Sequence, residues 1–297
     1  MPTPRSELST RPRTDSLTGK DNPLPDPYDL STLKPAMKNL GYRLLFLPQT
    51  LTTMGIVQER AITRDASLLV VLTDHQTQGV GRDLTKVWHD IAGCSILFSA
   101  FFSIDESATA EFADIVALRV CMALRQQGTD VLVKAPNDIV SSETGEKVSG
   151  ILVQNIYGTK NTEYLGTNLG IGVNVHYTKP QLDRYPTDYG ATSLDLITGR
   201  KTNRQQALIS ILEAIATAEP EARVINHTPS VRETQDGLWT KHSFLIGENV
   251  SVLDSGLVIQ GRVVKTQIGR GIEIQTPDGK FHTVSIFDIN TKVRLVN

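Results

Sequence analysis

The sequence predicts an α+β fold, with one mixed sheet backed by helices and a small antiparallel β module at the C-terminus. Three observations carry this. "SLLVVLT" and "CSILFSAFF" are continuous apolar, partly β-branched runs, which read as buried strands. "SATAEFADIVALRVCMALRQQG" places Phe112, Ile115, Val116 and Val120 at helical spacing and stops at Gly128. Beyond about residue 242 the rhythm changes to short alternating segments broken by "DSG", "IGRG" and "PDGK", the pattern of a small antiparallel barrel.

In order along the chain, residues 1–38 are rich in Pro, Ser, Thr and charge with little apolar periodicity, and read as a flexible leader. "YRLLFL" opens the folded part as a strand. A helix from Met54 to about Ile62 follows, capped by Thr52 or Thr53. After the strand "SLLVVLTD" comes a glycine-marked stretch, "DHQTQGVGRDLTKVW", and then the strand "CSILFSAFF". Ser107 is placed to cap the long helix. "DVLVK", "KVSGILVQNIY" and "YLGTNLGIGVNV" are strands, and helices are expected over about 204–218 and 230–239. The reading is thus a leader (1–38), a main domain (39–242) and a terminal module (243–297).

The 297 residues, 39% hydrophobic and 21% charged, can bury a sizeable core. A net charge of -2 gives no general reason to bind nucleic acid or an anionic membrane, so any anion site must be local. Cys94 and Cys121 lack partners at metal-ligand spacing, which excludes a disulfide framework and fits a reducing cytosol. No apolar run approaches the roughly 20 residues of a membrane helix.

Several short motifs compete for a chemical reading. As a dinucleotide fingerprint "GVGRDL" fails, because Leu84 replaces the third glycine, and "LGIGVN" fails in the same way and reads alone as a glycine-containing strand turn. The six histidines form no metal-binding pair, and no nucleophile elbow is present. "VLVKAPND" sets Lys134, Asn137 and Asp138 after a short strand around a proline. "KVSGILVQ" sets Lys147 ahead of Gly150, where by itself it would be an ordinary hairpin-edge lysine.

The order of these pieces, Q-x-x-G-x-G-R, K-x-P-N-D, K-x-x-G-I-L-V, G-x-G-x-N and then "ATSL", resembles the biotin protein ligases over about residues 42–297. The resemblance implies a class II synthetase-like catalytic domain and a C-terminal SH3-like barrel. It implies ATP, biotin and Mg²⁺ as reactants and cofactor, with a lysine of a biotin carboxyl carrier protein or domain as acceptor. Position by position, Thr52, Thr53 and Met54 match a segment contacting the biotin ring system, and Gln76 matches a further biotin contact. Val80, Gly81 and Arg82 match a loop that orders over biotin and the adenylate. Lys147 matches the lysine that meets the biotin carboxylate and the reacting phosphate. Lys134, Asn137, Asp138 and Asn174 match polar positions on the nucleotide and magnesium side, with no residue assigned as a direct metal ligand. Lys147 and Arg82 are the residues expected to stabilise charge developing between two anions.

Two places depart from the family pattern. Ala135 stands where the family has tryptophan, which removes a large apolar wall, and the run from the glycine loop to Trp88 is longer than usual. "VWHD" and "KVSG" are also similar to the lipoate ligases on the same catalytic fold. Lipoyl or octanoyl transfer and a biotin-binding module without turnover therefore stand as alternatives. The leader is too short and polar for a winged-helix domain, so neither DNA nor a membrane is an expected partner, and the chain is expected as a monomer or homodimer.

Overall fold

The computed structural model describes residues 26–82, 87–159, 163–185, 187, 189–254, 257–286 and 291–296. The elements are α1 (Leu30–Asn39), β1 (Arg43–Leu47), α2 (Thr53–Ile62), β2 (Leu69–Thr73), β3 (Gly79–Val80), β4 (Val87–Trp88), β5 (Ser95–Phe102) and α3 (Thr109–Gln126). They continue with β6 (Val131–Lys134), β7 (Asp138–Ser141), β8 (Lys147–Tyr157), β9 (Tyr164–Asn174), α4 (Lys179–Leu182), α5 (Leu194–Thr198), α6 (Arg204–Ile215), α7 (Ala218–Val224) and α8 (Pro229–His242). Five strands complete the chain: β10 (Asn249–Asp254), β11 (Leu257–Gln267), β12 (Gly271–Gln275), β13 (Phe281–Val284) and β14 (Lys292–Leu295).

Seven strands form a mixed sheet in the order β1-β2-β5-β9-β8-β7-β6, in which β1 and β2 are parallel and all other neighbours antiparallel. The apolar run of β2 is buried at every position because both of its faces are covered. Val70 and Leu72 join a large core with Phe98, Ile171 and the α3 residues Phe112, Ile115 and Val120. Leu69 and Val71 pack with Val57 and Ala61 of α2. Alternation with period two lets one strand serve both helical layers.

Several local expectations are corrected. Ser107 is not the cap of α3, which starts at Thr109 after a 3₁₀ turn over Glu106–Ala108 and has no side-chain cap bond. The helix expected over 204–218 is α6, which ends at Ile215 and is followed by a further helix, α7; Asn203 caps α6 by accepting from the Gln206 N–H. Part of the leader is also helical. In α1, capped by Asp29, Leu33 and Met37 share the buried face, so a four-residue spacing concealed in polar composition anchors the segment. Residues 1–25 of that reading lie outside the described residues.

Arg204 fixes what precedes α1. Wholly buried, it donates from Nη2 to Asp74 Oδ1 at 2.7 Å and to the Asp26 carbonyl at 2.5 Å, and from Nη1 to the Ser95 carbonyl at 3.2 Å. Its guanidinium carbon lies 3.9 Å from the Tyr28 ring centroid.

The terminal strands form an antiparallel sheet in the order β13-β12-β11-β10-β14, and no pairing of β13 with β14 closes it into the expected barrel among the described residues. One face packs inward, so that Val250, Val252, Val263 and Ile274 belong to the same core as α3. The Phe244 N–H donates to the Val133 carbonyl at 2.8 Å and covers the outer edge of β6.

The turn after β11 is tied to α3 by a buried carboxyl. The Gly269 N–H donates to Asp114 Oδ2 at 2.9 Å, while Asp114 Oδ1 is buried without a partner. Burial pushes the Asp114 carboxyl well above the usual range, and nearby Glu111 and Asp236 add to the shift. A folded value above the unfolded one, about 4, means that stability is fully present below that value and is lost as pH rises through the folded one. Asp114→Asn keeps an acceptor for Gly269 and removes the charge. It is expected to raise the neutral-pH Tm by about 2–4 °C, with the gain fading in acid. Thermal unfolding across pH checks this, and a neutral-pH Tm at or below the parent's contradicts it.

Candidate active site

On the α2 side of the sheet lies a narrow cleft, lined by Thr52, Thr53, Met54 and Gln76, by Val80, Gly81 and Arg82, and by residues of β5, β8 and β9. Its floor explains "LGIGVN". The two glycines lie inside β9, not in a turn, and alternate with Leu169, Ile171 and Val173, whose side chains enter the core. A Cβ on Gly170 would come within 2.6 Å of Met54 Sδ, and one on Gly172 within 2.7 Å of the Trp88 ring. Gly150 of β8 likewise leaves room for the indole, at 3.0 Å. Trp88 lines the cleft, and its Nε1 is buried without a partner.

Gly172→Ala is accordingly expected to expel the indole at a cost of about 1–3 kcal/mol. Trp88 and Trp239 are the two tryptophans of the chain, so emission of the variant in a Trp239→Phe background reads the displacement directly. An unshifted Trp88 emission would contradict the floor described here.

One end of the cleft offers neutral hydrogen-bonding groups. Thr52 occupies the N-cap position of α2 yet makes no cap bond, and its hydroxyl is buried without a partner. Gln76 does the capping: its Oε1 accepts from the Thr53 N–H at 2.8 Å and from the Thr53 hydroxyl at 3.2 Å. With its oxygen committed, Gln76 can still offer the NH₂ donor. The Thr53 hydroxyl also pairs with Ser99 Oγ at 2.7 Å. Behind them, Asp90 accepts from the Gln76 N–H at 3.2 Å and pairs with His75 Nδ1 at 2.8 Å, a contact that raises the His75 pKa.

The other end is charged. Lys147 begins β8, an interior strand between β7 and β9, so it is not an edge lysine. Its Nζ stands 2.6 Å from Asp138 Oδ1 and 5.6 Å from the centroid of the Trp88 ring. Asn137 lines the cleft and donates to the Ile151 carbonyl at 3.2 Å, which fastens the "PND" turn to β8. Lys134 and Asp138 face each other at the head of the β6–β7 hairpin and are not part of the cleft wall. Asn174 is buried away from the wall and donates to the Thr192 carbonyl at 3.1 Å, where it braces the "ATSL" loop. Arg82 lines the cleft and donates to the Ile286 carbonyl at 3.0 Å, linking the glycine loop to the terminal module. Residues 83–86 of that loop lie outside the described residues. Ala135 is buried in the main core and does not line the cleft, so its small side chain removes no wall there.

The cleft is thus a bed without side chains, with amide and hydroxyl groups at one end and ammonium and guanidinium groups at the other. Residues 46–174, which carry nearly all of it, match the biotin/lipoate A/B protein ligase family. No curated protein sequence matches the chain. Among solved structures, the family fold is shared with the biotin protein ligase of Aquifex aeolicus in complex with biotin and ATP, at 24% identity and a TM-score of 0.66, covering 86% of this chain and 99% of that one. The Helicobacter pylori biotin acetyl coenzyme A carboxylase synthetase with bound biotinylated ATP matches at 16% identity and a TM-score of 0.52, over 82% of this chain and 100% of that one. The Leishmania major biotin protein ligase in complex with biotinyl-5-AMP matches at 17% identity and a TM-score of 0.50, over 82% and 98%. At these identities the structural likeness speaks to the fold. Among the described residues no helix is long and apolar enough to cross a membrane.

Trp88 and Ser99 are site residues that the motif order did not single out, and the three floor glycines stood in its K-x-x-G-I-L-V and G-x-G-x-N pieces without an assigned role. Their signal was present for the glycines alone, as a G-x-G alternation inside an apolar strand, which strips one face of a sheet while leaving the other packed.

Proposed function

We propose that the chain activates biotin with ATP and transfers it to a lysine of a biotin carboxyl carrier domain. The observation that supports this best is the two-ended cleft. Thr52, Thr53 and Gln76 offer neutral partners suited to a ureido ring, and the Lys147 and Arg82 side chains stand where two anions would meet. Lipoate carries no ureido group, and would leave buried polar atoms unpaired at about 1–3 kcal/mol each.

In the first step a biotin carboxylate oxygen attacks the α-phosphorus of ATP; the bond from that phosphorus to the bridging oxygen breaks, and pyrophosphate leaves. Lys147 and Arg82 oppose the negative charge that accumulates during attack. Magnesium brought with ATP would offset charge on the phosphates. Among the described residues no group of three or more His, Cys, Asp or Glu could hold a metal ion. Asp138, beside Asn137, would be the carboxylate nearest to such an ion. In the second step the acceptor amine attacks the acyl carbon, AMP departs with the acyl-bound oxygen, and the new amide nitrogen loses its proton. Two buried free cysteines suit a reducing cytosol.

The test is incubation of the protein with MgATP and either biotin or lipoate, with mass analysis of the acyl-adenylate and measurement of pyrophosphate release. Biotinyl-5'-AMP is expected. Adenylation of lipoate at an equal or greater rate overturns the substrate, and biotin binding without pyrophosphate overturns the enzyme.

A further inference from the structure

We propose that Tyr189 is a positioning residue of the charged end of the site, one phenol fixing the Asp138 carboxylate through its O–H and the Lys134 ammonium through its ring. The inference rests on the reading that Lys134, Asp138 and Lys147 handle the nucleotide. The Tyr189 hydroxyl donates to Asp138 Oδ2, and Lys134 Nζ lies 3.3 Å from the Tyr189 ring centroid. The other carboxylate oxygen of Asp138 faces Lys147 Nζ at 2.6 Å. Tyr189 thereby touches both cross-strand partners at the head of the β6–β7 hairpin, and through Asp138 it bears on Lys147.

Its own position is set from the same strand. The Lys147 N–H donates to the Gly190 carbonyl at 3.1 Å, and the Thr192 N–H donates to the Lys147 carbonyl at 2.8 Å. The segment carrying Tyr189 is therefore pinned on its C-terminal side to the residue that bears the reactive-centre ammonium. Gly190, at φ +84, makes the turn that lets the ring reach back over Lys134.

The arrangement has an electrostatic purpose. Lys147 already pairs with one oxygen of Asp138, and a second lysine drawn onto the other would neutralise charge that a polyphosphate needs. Tyr189 occupies one oxygen of Asp138 with a neutral donor and offers Lys134 a π face. Both cations are held in place yet remain releasable to a phosphate.

The two functions of the phenol separate by substitution. Tyr189→Phe removes the O–H and retains the ring, so the freed oxygen of Asp138 draws Lys134 as well and kcat for biotin-dependent pyrophosphate exchange is expected to fall about tenfold. Tyr189→Ala removes both, and KM for ATP is expected to rise about tenfold further. KM for biotin should stay within about twofold in both variants, since Thr53 and Gln76 lie at the other end. Calorimetric titration with a non-hydrolysable ATP analogue, without biotin, reads nucleotide affinity independently of turnover. The expected result is weaker analogue binding by Tyr189→Ala than by Tyr189→Phe, with both variants melting near the parent. An active parent whose variants keep kcat and analogue affinity overturns the proposal, as does a joint rise of both KM values with a lowered Tm, which marks a structural role. A parent that binds the analogue but forms no adenylate sinks the proposed function, and the affinity series then decides on Tyr189 alone; a parent that binds no nucleotide removes both.

Discussion

Lys147→Ala is expected to slow biotinyl-adenylate formation by about 10²–10³-fold or more, the range for loss of a preorganised group that opposes charge developing in the transition state. The ammonium is half-buried beside Asp138 at the start of an interior strand, so the substitution also removes that carboxylate's cationic partner. Biotin binding at the Thr53 and Gln76 end should persist, which places the loss in the chemical step. Single-turnover kinetics with calorimetric measurement of biotin affinity separate the two quantities. Turnover within a few-fold of the parent would remove Lys147 from the mechanism, and loss of biotin affinity would place its role in ground-state binding.

Arg204→Met is expected to destabilise the fold by about 3–5 kcal/mol, because it leaves a buried carboxylate uncompensated. Burial already pushes the Asp74 carboxyl up, and Arg204 opposes that shift through charge and a hydrogen bond. Without the guanidinium, the Asp26 and Ser95 carbonyls also lose their donor, and Tyr28 loses the cation stacked on its ring. Adding Asp74→Asn to Arg204→Met should recover part of the loss by removing the stranded charge. Urea unfolding of both variants measures this, and equal stability of parent and Arg204→Met would show that the ion pair contributes nothing net. A deficit that the second substitution leaves untouched would assign the whole effect to packing and to the two carbonyls.

The central sheet was legible because its chemistry is local. Continuous apolar runs such as Leu69–Thr73 are buried on both faces, and no alternation was needed to identify them. The polar site residues Thr53, Gln76 and Lys147 were legible from the order of motifs, which preserves the sequence of loops around a shared sheet. What escaped depends on contacts distant in the chain. The helix α1 has modest propensity, contains Pro35, and is held by burial of Leu33 and Met37 and by the tether from Arg204 to Asp26, 178 positions away. Ser99 and Trp88 join the cleft through strand pairing that no short motif encodes, and Asn174, expected at the nucleotide, instead braces Thr192. The open edge of the terminal sheet follows from which strands pair last, a property of register rather than of alternation.

The bare floor makes the shape of this cleft adjustable in one direction only. Gly150, Gly170 and Gly172 already carry the smallest side chain available, so any substitution at those positions can only make the bed shallower. Selection for bulkier acyl substrates has nothing left to remove there and must instead act on what stands above the bed, chiefly the indole of Trp88 and the thioether of Met54. A library aimed at larger substrates would draw its gains from those two side chains, while one aimed at excluding the proposed ligand, biotin, would draw them from the glycines.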